Sequence, residues 1–286
     1  MTLRLAILTP DPDDDLFSRR VLPPVDGYRK LFAQLGVEIV PHSWVGPAPV
    51  GVDGVLACLA WGYHFRIDDW QALLTGWSPS IPLINPPDVL LWNTRKTYLL
   101  GLAEQGVRII PTLTPALSSH DVVEQAFAAF DTDRIVIKPL VSAGSNDTFL
   151  ISRGDPLPPP LPGRMIQPFL PQVAKEGELS LFFFGGRFSH AVAKVAASGD
   201  FRVQPQYGGQ FRRLAPDSEA MDLAHAVLKA APAGIVYARI DMVRDQQGRL
   251  CLMELEAIEP DLYFDYADQG GVAFGEAVLA RILQQP

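Results

Sequence analysis

Three carboxylates and a guanidinium fall close together near the C-terminal end: Arg239 and Asp241 in IVYARIDMV, Glu254 and Glu256 in LCLMELEAIEP. Both runs alternate β-branched or apolar residues with charges, and Asp245-Gln246-Gln247-Gly248 separates them, which predicts a hairpin. Side chains two apart on a strand share a face, so Arg239 lies with Asp241 and Glu254 lies with Glu256. A four-residue turn would pair Arg244 with Arg249, Arg239 with Glu254 and Asp241 with Leu252. Carboxylates gathered on one face repel one another unless a cation neutralises them. Oxygen-only donors suit a hard ion, and Mg²⁺ binds through one or two carboxylates plus substrate phosphates. The competing reading is a solvated face on an edge hairpin. Against it, Val236, Ile240, Met242, Cys251, Met253 and Leu255 form an apolar opposite face that should cover a core.

Further charge-bearing residues stand upstream. Lys138 ends the apolar run RIVIKPL, where an ammonium is costly unless it meets an anion. The loop Ser142-Ala143-Gly144-Ser145-Asn146-Asp147 follows, small enough to offer backbone amides to phosphates or simply to turn a hairpin. Lys194 and Arg202 precede the glycine pair Gly208-Gly209 and form a candidate phosphate or carboxylate clamp; singly, each reads as a surface cation. His64 follows a strand end, as a substrate-orienting group or an ordinary loop residue, and Asp13-Asp14-Asp15 reads as a solvated helix start. Neither a GxxxxGK[ST] loop nor a GxGxxG fingerprint is present.

The elements that must position these groups follow from periodicity. The chain has 286 residues and 48% hydrophobic content, enough for a large core and about two domains. A net charge of −8 disfavours nucleic acid or an anionic membrane as partner. Cys58 and Cys251 read as reduced core residues, and the apolar run Leu5 to Leu8 is too short for a signal core or a membrane span; the expected location is the cytoplasm. Strands LRLAILTP, VEIVPHSW, VDGVLACLA and IPLIN alternate with helices over 26–35 and 68–74, which implies a small parallel sheet with ligands at its carboxyl ends. One helix over 92–105 carries Arg95 and Lys96, and others are expected over 120–130, 217–231 and 275–283. PLPPPLPG is an extended connector between strands.

In order, IVIKP, the Gly/Ser loop, IQPF, GDFRVQ with its glycine pair, and ARIDMV with LCLMELEAIEP resemble the ATP-grasp superfamily, on the branch of glutathione synthetase and RimK-like ligases. The Arg-x-Asp and Glu-x-Glu strands are also similar to those of D-alanine–D-alanine ligase. The resemblance covers about residues 92–263. It implies an α/β (α+β) fold of three α/β units, a small parallel-sheet N-terminal domain followed by two ATP-clamping subdomains, here 1–91, 92–170 and 171–286. Carried over, Lys96 and Lys138 would be the two nucleotide lysines, the loop with Ser142, Gly144 and Ser145 would border the phosphates, and the clamp candidate Lys194 would join them in binding the nucleotide. Gln167, Pro168, Phe169 and Leu170 would form the adenine hinge and Glu178 would meet the ribose. Asp241, Glu254 and Glu256 would bind Mg²⁺ or Mn²⁺, while Arg239 and Arg202 would act in catalysis. Two departures stand out: Glu256 replaces the usual Asn, and Gln204 stands where Asn tends to follow the Arg. The implied reaction joins a carboxylate to an amine through an acyl phosphate, at the expense of ATP. A cyclising ligase of the cycloserine-biosynthesis kind, and a non-catalytic ATP-binding regulator as in synapsins, are the alternatives. Partners would be ATP and small carboxylate and amine substrates, with a homo-oligomer left open.

Overall fold

The computed structural model describes residues 2–144, 146–195 and 208–284. Its first unit is β1 (Leu3–Thr9), α1 (Leu22–Ala33), β2 (Val37–Ser43), β3 (Gly54–Leu56), α2 (Ile67–Thr75) and β4 (Leu83–Ile84). The strands form a parallel sheet in the order β2-β1-β3-β4. Alternation along β1 sends Leu5 and Ile7 to a core shared with Phe32 of α1, and Ala6 and Leu8 to one shared with Trp70 and Leu74 of α2. α1 starts before the expected position, at Leu22-Pro23-Pro24, because prolines in a first helical turn forfeit no helical hydrogen bond.

The single helix expected over 92–105 is two, α3 (Pro87–Thr94) and α4 (Tyr98–Glu104). Arg95 is extended between them, and the Lys96 N–H donates to the Leu140 carbonyl at 2.8 Å rather than continuing a helix. Next come α5 (His120–Ala129), β5 (Arg134–Pro139), β6 (Phe149–Ser152) and β7 (Arg164–Pro168). The three strands are antiparallel in the order β6-β5-β7, and Val123 and Phe127 of α5 pack on Ile135, Ile137 and Ile166.

The remaining elements are α6 (Gln172–Lys175), β8 (Glu178–Phe184), β9 (Arg187–Val195), β10 (Gln210–Leu214), α7 (Ser218–Ala230), β11 (Tyr237–Arg244), β12 (Leu250–Glu256) and α8 (Val272–Leu283). An antiparallel sheet runs β10-β9-β8-β11-β12. Asp217 caps α7 by accepting the Ala220 N–H at 2.9 Å, and α7 and α4 bury Leu223, Val227, Leu99 and Leu102 against Leu181, Ile240 and Leu252. α8 returns to the first unit, where Phe274 and Val278 join the core of α1 and β1.

The hairpin register differs from the expected one. Asp245 accepts the Gly248 N–H and donates its own to Arg249, so Arg244 pairs with Leu250. A bulge then adds a residue on β12, and beyond it Asp241 pairs with Glu254 and Arg239 with Glu256. A shift of one residue would turn the glutamates to the opposite face; the bulge adds a second shift and restores them. Leu250, Leu252 and Leu255 therefore share the core with Ile240 and Met242. Cys251 and Met253, expected there too, pack instead with Val243, Ile110 and Leu170.

Candidate active site

A cavity of about 980 Å³ opens between the three sheets. Among the described residues, every candidate site residue named from the sequence lines it: Lys96, Lys138, Ser142, Gly144, Gln167, Pro168, Phe169, Leu170, Glu178, Lys194, Arg239, Asp241, Glu254 and Glu256. Arg202, Ser145 and Gln204 lie outside the described residues.

The β12 wall is held from its open edge by side chains. Asn93 donates to the Leu255 carbonyl and accepts the Ala257 N–H, both at 2.8 Å, and Tyr98 Oη bonds the Leu255 carbonyl and N–H, both at 2.9 Å. These contacts satisfy backbone groups that an edge strand would leave open. They also explain why the helix breaks: Lys96, between α3 and α4, is brought 2.8 Å from Glu254 and donates at 3.0 Å to the Ser142 carbonyl.

Each carboxylate expected to bind metal is engaged by a cation. Arg239 grips Asp241 with a fork, Nε to Oδ1 at 3.0 Å and Nη2 to Oδ2 at 2.9 Å, and also bonds Glu256. Asp241 further accepts from Ser180 and, at 3.4 Å, from Lys194, and Lys194 bonds Glu178. Gly177 permits that approach, since a Cβ there would collide with the Lys194 carbonyl. Among the described residues no three Asp, Glu, His or Cys side chains converge as a metal cage. Glu254 and Glu256 nevertheless keep side chains 23% and 28% exposed. Two carboxylates plus phosphate oxygens match what Mg²⁺ takes, so the donor chemistry fits that ion.

Electrostatics follow from burial among these partners. Burial works against the Glu254 carboxylate, and Lys96 and Lys138 outweigh it, leaving its pKa lowered. For Glu256 burial wins over Arg239, and Glu254 and Asp241 add to it, pushing the pKa up to about 7. Lys138 is half-buried, its pKa lowered by desolvation, and its ammonium has no hydrogen-bond or ion-pair partner among the described residues. Gln167 is fixed by donating to Thr112 Oγ1 at 2.9 Å, and the Arg134 guanidinium stacks 4.2 Å from the Phe169 ring centroid.

Sequence reasoning did not single out Glu259, which lines the same cavity and whose pKa burial and Glu256 push up to about 8. A lone acid in the apolar run AIEP, just beyond two site glutamates, was the available signal. The aromatic wall of Phe17, Trp61, Tyr63 and Phe65 was also missed, because it comes from two separate loops. His64 belongs to it; its Nδ1 is buried without a hydrogen-bond partner among the described residues, and burial lowers its pKa to about 4. Asp13-Asp14-Asp15 does not line the cavity, and Asp14 instead caps a local turn through the N–H groups of Leu16 and Phe17.

The crystal structure of the D-cycloserine synthetase DcsG superposes over 98% of this chain and 99% of that one, with a TM-score of 0.82 at 24% identity. The ATP-grasp ligase PsnB, complexed with minimal precursor, Mg and ADP, matches over 99% of both chains with a TM-score of 0.65 at 15% identity. The chain has the ATP-grasp fold. At the sequence level this ATP-grasp chain is 28% identical to the cycloserine biosynthesis protein DcsG of Streptomyces lavendulae over 243 residues, 78% of this chain and 81% of that protein. No family model matches it. Among the described residues no helix is long and apolar enough to cross a membrane.

Proposed function

We propose that the protein is an ATP- and Mg²⁺-dependent ligase that joins a carboxylate to an amine through an acyl phosphate. The observation that supports it best is the convergence of Lys96, Lys138, Arg239, Glu254 and Glu256 on one cavity between the sheets of an ATP-grasp fold. In this reading residues 1–91 supply substrate contacts, while 92–170 and 171–286 clamp the nucleotide. Lys138 and Lys96 take phosphate oxygens, Lys194 and the loop bearing Ser142 and Gly144 border them, Gln167 to Leu170 meet the adenine, and Glu178 meets the ribose. Glu254 and Glu256, with Asp241 behind them, would hold Mg²⁺ (or Mn²⁺), which when bound neutralises phosphate charge.

In-line phosphoryl transfer demands positioning and charge stabilisation more than a protein nucleophile. Arg239 is suited to that task because Asp241 holds its guanidinium by two hydrogen bonds, so little reorganisation is needed as charge develops. The substrate carboxylate attacks the terminal phosphorus, the bond to ADP breaks, and the amine then displaces phosphate from the acyl carbon. The similarity to DcsG favours a second reading, in which acid and amine belong to one molecule and the product is a ring. The net charge of −8 fits chemistry on small molecules in the cytoplasm. ADP release measured against pools of carboxylic acids, with and without amines, tests the proposal. Release that needs an acid and an amine supports the linear ligase; release with an amino acid alone, giving a product one water lighter, supports the ring. A protein that binds Mg-ATP yet releases no ADP with any pool would instead be a regulator.

A further inference from the structure

We propose that Glu259 is the residue that receives the ammonium group of the amine substrate, seated against the aromatic wall formed by Phe17, Tyr63, His64 and Phe65. The proposal rests on the ligase reading above and names the chemistry of its second substrate.

The acids that line the cavity are not equivalent. Glu178 is bonded to Lys194, Asp241 to Arg239 and Lys194, Glu254 to Lys96, and Glu256 to Arg239. Asp261 spends its carboxylate on the Tyr263 N–H at 3.1 Å. Glu259 differs: it has no hydrogen-bond or ion-pair partner among the described residues, although it is half-buried. A half-buried carboxyl without a counter-ion is costly, and a cationic ligand removes that cost.

What faces it is matched to a cation carried on an apolar group. Phe17 lies 6.2 Å from Trp61 and 6.4 Å from both His64 and Phe65 by ring centroids. Phe65 lines the cavity while 57% exposed, so the wall offers open ring surface. Glu259 lines one cavity with Phe17, Tyr63, His64 and Phe65, so a ligand held there can meet both the carboxyl and the rings. Ring faces attract ammonium ions and also bury the hydrocarbon next to them. A metal ion would need several oxygen donors in place of rings. A primary amine on a small apolar or aromatic group satisfies both sides.

The test uses the full chain, wild type, Glu259→Gln and Glu259→Asp, with ethylamine and benzylamine as probes and ethanol and benzyl alcohol as neutral counterparts. Binding is read by ligand-observed NMR titration in the presence of Mg-ADP. Wild type should bind each amine more tightly than its alcohol; Glu259→Gln should lose about tenfold or more for the amines alone, and Glu259→Asp should recover part of it. Equal amine affinity in wild type and Glu259→Gln, or no preference of wild type for amines over alcohols, would overturn the assignment. Thermal melting of the three proteins separates loss of contact from loss of fold, since misfolding would weaken the alcohols equally. Acid-dependent ADP release by wild type, with hydroxylamine added to convert the acyl phosphate to a hydroxamate and free phosphate, tests the ligase reading separately. Its absence would sink that reading, while an amine-specific loss in Glu259→Gln would still establish the ammonium site.

Discussion

Lys138 and Lys96 line the same cavity, yet the structure gives them opposite responses to loss of charge. Lys96 Nζ is 2.8 Å from Glu254 and 3.0 Å from the Ser142 carbonyl; Lys138 has no partner among the described residues. Lys138→Met keeps the length of the side chain and removes only its charge. If the ammonium meets a nucleotide phosphate, the lost charge-assisted contact is ~1.5–3 kcal/mol. The Mg-ATP dissociation constant should then rise about 10- to 150-fold. The ligand-free protein should not melt lower, because burial already works against that cation. Lys96→Met should instead destabilise the ligand-free protein, since it strands the carboxylate of Glu254. Breaking a buried pair from one side costs about 3–5 kcal/mol, reduced here because Glu254 is 23% exposed. Calorimetric titration with Mg-ATP and thermal melting of both variants measure the two effects. Wild-type affinity in Lys138→Met, or a melting loss as large as that of Lys96→Met, would refute the reasoning.

Glu254→Gln should weaken Mg-ATP binding strongly while ATP binding without metal changes little; calorimetry with and without Mg²⁺ separates the two, and equal losses would remove Glu254 from the metal site. Arg239→Lys keeps the charge and gives up the fork on Asp241, so it should retain most stability and lose most phosphate release; full turnover in that variant would show that the fork is dispensable. Glu259 binds its proton more tightly folded, at about 8 against an ordinary 4.5, so its stabilising contribution is complete at low pH and disappears as pH rises through 8. The His64 contribution runs the other way and is complete above about 6.5. From pH 6.5 to 8, Glu259 should therefore contribute a fall in wild-type stability of up to about 1.4 kcal/mol per unit, on top of the falls due to Glu178 and Glu256 that fade above pH 7, and Glu259→Gln should show a shallower fall in urea melts at each pH.

The alternation of apolar and charged residues made the sheets legible, because a period of two survives whatever lies next to a strand. It also placed Arg239, Asp241, Glu254 and Glu256 on one face, although by the wrong pairs. Gly248 announces a turn without saying that it closes on Asp245 and Arg249, and the bulge on β12 falls where the sequence has no glycine or proline. Two register errors cancelled in the face while remaining in the partners. The break at Arg95 was hidden for a related reason: residues 92–105 contain no proline to mark it, and tertiary bonds from Asn93, Lys96 and Tyr98 set it. The aromatic wall joins residues 17 and 61–65, and nothing local in either segment marks it as half of a surface.

If the proposed site takes a nucleotide and a cation together, the pairing of every metal-face carboxylate with a lysine or arginine has a use in binding. Glu254 and Lys96, or Glu256 and Arg239, neutralise each other across the cavity at little cost to the fold. Mg-ATP carries both signs: its phosphates suit the ammonium groups and its metal suits the carboxylates. Under the proposed function, binding would exchange internal ion pairs for external ones, so that neither sign would be left buried alone. On that account phosphate without metal should bind weakly, because it takes Lys96 from Glu254 and leaves the carboxylate unpaired; metal without nucleotide should fare no better, because Lys96 and Arg239 hold its ligands. Affinity for Mg-ATP should therefore exceed what the separate affinities for Mg²⁺ and for metal-free ATP would combine to give. The excess should shrink in Glu254→Gln, where nothing is stranded when Lys96 turns to phosphate. Calorimetric titrations of wild type and variant with each component complete the thermodynamic cycle, and strict additivity in wild type would rule the exchange out.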